Sequence, residues 1–351
     1  MEAANNYSNG PLFTPYKLGK FDLSHRIVFP ALTRNRAHKN IPQQPHATEY
    51  YAQRATNGGL LISEAAAASD ISQGCPNMPG IWNEEQVEAW KPVVEGVHEK
   101  GGVFFCQIWH SGRLFVPTLS ALYFSIGVGF SLTRPDEQVY EKPTPRRLKS
   151  DEVPGIVNDF RIAARNAIKA GFDGVEINAS DGGYLIDEFM NDRKSIEDCC
   201  RLALEIVQAV ANEIGADKVG IKLSPFSDCD GKKDSNSERL ATYLANALSK
   251  LGVLYLHVVE PREAAKGLLP IRKAFQGTLI ASGGYNKFDG DNAIEENYAD
   301  LISFGRMFLA NPDLPKRFEV NAPLNKYNRS TFYTNDPLIG YTDYPSLQVA
   351  S

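Results

Sequence analysis

The sequence predicts an α/β chain folded as a (β/α)8 TIM barrel, and three observations carry that expectation. Eight short apolar or β-branched runs are spread along the 351 residues, stretches with helical spacing or caps fall between them, and the last two runs carry glycine at or next to their ends. Runs this short, apolar on both faces, suit parallel strands that are buried on both sides. Parallel neighbours need helical crossovers, and eight such units close a sheet upon itself. An open doubly wound sheet is the competing architecture. The glycine-rich ends of the last two runs favour the barrel, which builds its phosphate site after strands 7 and 8.

Taken in order, the runs are "RIVFPAL" (26–32), "GGLLISEA" (58–65), "GVFFCQIW" (102–109), "FDGVEIN" (172–178), "KVGIKLSP" (218–225), "VLYLHVVE" (253–260), "GTLIASGG" (277–284) and "ADLISFGR" (299–306). Between the second and third lies "NEEQVEAWKPVVEGVHEKG", which opens on Asn83 as an N-cap and ends at Gly101. After the third run comes "CQIWHSGR", which gathers Gln107, Trp109, His110 and Arg113. Strand alternation points Gln107 and Trp109 to one face, and an amide beside an indole suits a flat heteroaromatic ring; a buried Trp with its Gln satisfying backbone is the plainer reading. Residues 114–142 are too long and too aromatic for a plain connection. They read either as a lid over the mouth of the barrel or as a loose insertion packed on its rim. Everything else belongs to one domain spanning 1–351.

The fourth run continues into "NASDGGYLID", a polar turn followed by a helix that begins near Tyr184. Asn178 and Asp181 in that turn read as an N-cap or Asx-turn, or as groups that touch a substrate. In the fifth run Lys222 places a cation in the barrel mouth, where it stabilises negative charge that develops there. Gly283 and Gly284 end the seventh run, and Gly305 with Arg306 ends the eighth. Backbone N–H groups without Cβ obstruction, next to a cation, make an anion cradle, so the ligand should carry a phosphate.

Composition narrows the partners. With 43% hydrophobic and 23% charged residues the chain has an ordinary globular make-up. A formal net charge of -5 and a pI near 5.8 argue against an electrostatic grip on nucleic acid or an anionic membrane. Small molecules or proteins are the expected partners, no metal site is indicated, and a monomer or weak dimer is expected. The five cysteines form no CxxC pair and sit partly in apolar runs, as reduced intracellular thiols do. No basic and apolar leader precedes the first run, no apolar stretch reaches spanning length, and the final "VAS" is not a Ser-Lys-Leu type peroxisomal address. These features point to the cytoplasm.

The segments "PYKLGKFDLSHRIVFPALTRNRA", "GIWNEEQVEAWKPVVEGVHEKGGVFFCQIWHSGR", "IVNDFRIAARNAIKAGFDGVEI" and "LANPDLPKRFEVNAPLNKYNRSTFYTNDPLIGYTDYP" resemble the old yellow enzyme family, and within it the plant 12-oxophytodienoate reductase branch. The likeness spans nearly the whole chain apart from residues 114–142 and the region just after 190. It implies FMN at the barrel mouth, NADPH as reductant, and hydride transfer to the β-carbon of an α,β-unsaturated carbonyl such as an oxylipin. Carried over position by position, it implies flavin contacts from Ala31, Leu32, Thr33, Ala65, Gln107, Lys222, Gly284, Gly305 and Arg306. Tyr184 is implied as the proton donor to the substrate α-carbon, and Arg262 as a substrate contact.

Several positions depart from the family pattern. The family places His-x-x-His or His-x-x-Asn before Gly-Tyr to hold the substrate carbonyl, whereas this chain has Asn178 and Asp181, with one extra residue before Tyr184. Asn178 can donate; an ionised Asp181 only accepts, and a dry pocket that kept it protonated would restore a donor. Lys222 replaces an arginine and loses a bidentate fork. Ala31 stands where the family has proline. Two further readings follow from these losses and from Lys222: a decayed paralogue that binds FMN but turns over poorly, and a Schiff-base aldolase-like barrel using Lys222.

Overall fold

The structure is a computed structural model that describes residues 10–112, 148–180, 184–190, 195–226, 237–261 and 267–347. Each of the eight apolar runs contains one barrel strand: β3 (Ile27–Phe29), β4 (Leu60–Ile62), β6 (Val103–Trp109), β7 (Gly174–Ala179), β8 (Val219–Leu223), β9 (Tyr255–Val259), β10 (Thr278–Ser282) and β11 (Leu301–Ser303). All pair in parallel with their sequence neighbours, and β3 pairs with both β4 and β11 while β4 pairs with β6. The sheet is therefore closed, which excludes the open doubly wound alternative. A two-residue β5 (Ala66–Ala67) runs beside the far end of β6, with Ala66 opposite Ile108 and Ala67 opposite Trp109.

Helices α1 (His46–Ala52), α2 (Glu84–His98), α3 (Val153–Lys169), α4 (Leu185–Met190), α5 (Ile196–Ile214), α6 (Ser237–Leu251), α7 (Leu268–Ala274), α8 (Lys287–Glu295), α9 (Gly305–Ala310) and α10 (Leu314–Glu319) occupy the crossovers and the C-terminal region. The expected cap of α2 is present: Asn83 Oδ1 accepts from Gln86 N at 3.0 Å, and Gln86 Oε1 accepts from Asn83 N at 3.3 Å.

Strand alternation builds two apolar zones. Residues such as Phe29, Leu61, Phe104, Ile177, Ile221 and Leu279 join the large cluster shared with the helices. Val28, Leu60, Ile62, Phe105, Tyr255, Ile280 and Leu301 form a second cluster on the alternate face. Two glycines make room for that inner layer, because a Cβ at Gly174 would overlap the Phe105 ring and one at Gly220 the Tyr255 ring. The hairpin of β1 (Tyr16–Leu18) and β2 (Phe21–Leu23), which sequence reasoning passes over, contributes Leu18 and Leu23 to this inner cluster. It packs against the same face as Leu254 and Tyr255 at the start of β9, and so covers the N-terminal end of the barrel. The opposite end is left for chemistry.

Candidate active site

Because the eight strands are parallel, everything at their C-terminal ends faces one mouth. Ala31, Leu32 and Thr33 follow β3 directly and are half-buried. Ala65 follows β4, buried in a small apolar cluster with Met78 and Trp109, against which Cys75 and Tyr184 pack. Gln107 lies on β6, Asn178 on β7 and Lys222 on β8, all buried. Gly284 follows β10; Gly305 and Arg306 follow β11, with the Arg306 guanidinium 5.5 Å from the Tyr327 ring. Tyr184 immediately precedes α4, and its ring meets Trp109 edge-on at 4.6 Å. Asp181, Arg262 and the 114–142 insertion lie outside the described residues.

Asn178 ends up as strand and turn at once. Its Oδ1 accepts from Ser180 N at 3.0 Å and from Ser180 Oγ at 2.9 Å, an Asx-type turn. The capping half of the expectation does not apply to it, because α4 starts at Leu185, seven residues on. Its Nδ2 donates to Gln107 Oε1 at 3.1 Å, and Gln107 Nε2 donates to Glu176 Oε1 at 2.6 Å. Glu176 Oε2 lies 2.9 Å from His257 Nδ1, and His257 Nε2 lies 3.1 Å from Ser303 Oγ.

Sequence reasoning misses Glu176, His257 and Ser303. The signal is present: a carboxylate and an imidazole sit in the middle of two otherwise apolar strands, and such groups are buried only when paired. Burial opposes the charge of Glu176, yet the adjacent His257, whose Nδ1–H donates to the carboxylate, together with Lys222 and Gln107 holds it below the usual carboxylate range. His110 is different: burial pushes it down to about 3, and its Nδ1 accepts from Gly112 N at 3.0 Å, so it is a neutral imidazole carrying its proton on Nε2.

A phosphate-bearing flat ligand fits these residues. Gly283 and Gly284 have φ of 132° and 98°, conformations reserved for glycine, and a Cβ at Gly283 would collide with the Glu260 carbonyl oxygen. A Cβ at Gly305 would meet only Leu32 Cδ2 at 3.4 Å and Pro30 Cγ at 4.0 Å, so that backbone is open on its remaining side. Trp109 Nε1 is a buried donor with no partner among the described residues. Gln107 and Asn178 each retain a second amide hydrogen with none there either. Among the described residues no cluster of His, Cys, Asp and Glu could hold a metal ion.

A closed parallel barrel with an open glycine cradle after its last two strands, and amide and ammonium donors beneath its mouth, defines a barrel that takes a phosphate-bearing ligand. The profile of the NADH:flavin oxidoreductase / NADH oxidase family matches residues 11–325. The chain belongs to that family. It is 79% identical over 358 residues to a 12-oxophytodienoate reductase-like protein of Solanum lycopersicum, covering 99% of each, and 52% identical over 361 residues to 12-oxophytodienoate reductase 2 of Arabidopsis thaliana, covering 96% of each. Among solved structures, morphinone reductase in complex with tetrahydroNAD superposes with a TM-score of 0.87 at 39% identity, covering 96% of this chain and 98% of that one. The old yellow enzyme homologue from Zymomonas mobilis gives a TM-score of 0.87, also at 39% identity, over 96% and 99%. The decayed-paralogue reading is not favoured by relatives this similar over their full length. FMN and a nicotinamide reductant are the cofactors of the family, which does not favour the Schiff-base aldolase-like reading.

Proposed function

We propose that the chain is an FMN-dependent, NADPH-consuming ene-reductase of α,β-unsaturated carbonyl compounds, with an oxylipin-type enone as the natural substrate class. The observation that carries this reading is the buried Asn178–Gln107–Glu176 chain, which leaves one amide N–H on Asn178 and one on Gln107 without a partner among the described residues. Ala31, Leu32, Thr33, Ala65, Gln107 and Lys222 would hold the flavin ring, and Gly284, Gly305 and Arg306 its phosphate. Bound FMN supplies the hydride to the β-carbon. Asn178 Nδ2 donates to the carbonyl oxygen as negative charge develops there, a contribution that one such donor makes at about 3 kcal/mol in other enzymes. Lys222, on the neighbouring strand with its Cα opposite that of Asn178, adds a positive field. Tyr184, held edge-on by Trp109, gives its hydroxyl proton to the α-carbon. Asp181 and Arg262 would line the substrate side.

The chain acts as one domain in the cytoplasm, as a monomer or weak dimer; among the described residues no helix is long and apolar enough to cross a membrane. The visible spectrum of the purified protein tests the proposal, recorded without oxygen before and after NADPH and again after 2-cyclohexenone. A flavin band that bleaches and then returns supports it. A protein that takes up no FMN, or a bleached flavin that the enone leaves unchanged, overturns it.

A further inference from the structure

We propose that Glu176 is a positioning residue of this site: clamped between His257 and Gln107, its carboxylate fixes the direction of the amide chain that aims Asn178 at the substrate carbonyl, and it sets the charge felt by the flavin beside Lys222. The inference rests on the ene-reductase reading and adds to it a residue that touches neither substrate nor cofactor.

The direction of the chain follows from its far end. Ser180 N is a backbone N–H and can only donate, so the Asn178 atom 3.0 Å away is Oδ1, and the Ser180 hydroxyl at 2.9 Å donates to the same oxygen. Amide orientation is ordinarily an assignment; here the backbone decides it. Asn178 Nδ2 must then face Gln107 and donate to Oε1, which turns Gln107 Nε2 toward Glu176. A chain of donors running in one direction needs an acceptor that never donates, and an ionised carboxylate is that group. On its other oxygen Glu176 meets His257, which Ser303 on β11 steadies from behind.

The burial of these residues is severe. Glu176 and His257 are 0% exposed, Gln107 and Ser303 2%, Asn178 4% and Lys222 8%. The groups facing Glu176 are His257 from β9, Gln107 from β6, Lys222 from β8 and the hydroxyl of Tyr255 from β9. A pair serving only the core would end in itself. This one runs outward instead, and its last two members each keep an amide hydrogen for the mouth. Lys222 and His257 are opposite one another across β8 and β9, so the positive charge at the mouth is balanced by Glu176 alone among the buried acids of this layer that are described.

Two variants of the FMN-loaded protein separate geometry from charge. In Glu176→Gln the amide oxygen still accepts from Gln107, while the amide nitrogen faces a His257 that has changed tautomer, so the chain survives and the charge is gone. Loss of a nearby negative charge favours the more negative, reduced flavin. The midpoint potential should rise by a tenfold shift in the two-electron equilibrium, about 30 mV, with the dissociation constant for the unreactive ketone cyclohexanone within about twofold of the parent. In Glu176→Leu the chain loses its acceptor, and cyclohexanone should bind about tenfold more weakly. Adding Asn178→Ala to Glu176→Leu should then cost little more, because both changes remove the same donor. An unmoved potential in Glu176→Gln, or fully additive losses in the double variant, overturns the proposal. Should Glu176→Leu fail to fold, the potential of Glu176→Gln decides. Failure of the ene-reductase reading looks different: NADPH bleaches the flavin, no enone restores it, and the Glu176→Gln potential still supports or overturns the role of the carboxylate.

Discussion

At the scale of single residues, the groups around the mouth are held in protonation states that their surroundings dictate. Burial pushes Glu64 from its ordinary 4.5 up to about 7, although Arg34 N donates to its Oε2 at 3.0 Å. Between those two values the folded chain keeps a proton that the unfolded chain has released, so this group makes stability fall as pH rises from about 4.5 to about 7. The full effect is about 3 kcal/mol. Denaturant titrations at pH 5 and pH 7.5 should show that Glu64→Gln lacks this loss; an equal change in both proteins would mean that Glu64 is ionised throughout. Tyr184→Phe carries the second prediction. Removing a general acid costs on the order of 10² in turnover, so enone reduction should fall by about that factor while bleaching by NADPH keeps its rate. A variant with full turnover would take Tyr184 out of the reaction. Gln107, Lys222 and Gly284 are legible from sequence because each lies within or ends a recognisable apolar run. Glu176 and His257 are not, since only the three-dimensional pairing of β7 and β9 across β8 reveals that two lone polar residues answer each other.

Elements show the same division between local and non-local information. The barrel strands and α2 announce themselves through composition and caps; the β1–β2 hairpin does not, because its strands are three residues long and gain meaning only where Leu18 and Leu23 pack. The C-terminal segment after α10 has almost no regular structure, and three buried arginines satisfy its carbonyls. Arg34 Nη2 donates to Gly340 O at 2.7 Å, Arg54 Nη2 to Tyr341 O at 3.3 Å, and Arg36 to the carbonyls of Thr331, Asp336 and Ile339 at 2.8 to 3.0 Å. Tyr341 stacks on Tyr50 of α1 at 4.1 Å. Arg36 stands only three residues beyond Thr33, so this fastening also anchors the loop proposed to touch the flavin. Arg36→Met should cost at least about 2 kcal/mol, since hydrogen bonds from a charged group contribute about 1.5 to 3 kcal/mol each. The check is the urea midpoint together with limited proteolysis after residue 329. An unchanged midpoint would mean that the segment is held by its aromatic packing alone.

For the molecule as a whole, the cofactor contacts proposed here are spread over the ends of β3, β4, β6, β8, β10 and β11, six of the eight barrel strands. A ligand that touches so many strand ends binds only the closed barrel, and whatever binds the folded state alone raises its stability by mass action. At free FMN one hundred times its dissociation constant the gain is about 2.7 kcal/mol, which for a chain of this size corresponds to about 4 °C in the thermal midpoint. Gly305→Val supplies the control. The position has room for side-chain atoms beside Leu32 and needs no left-handed backbone, so the apo protein should melt close to the parent. The same side chain covers the open backbone of the cradle, and the rise on adding FMN should disappear. A rise of equal size in both proteins would place the phosphate elsewhere, and with it the register of every flavin contact carried over from the family.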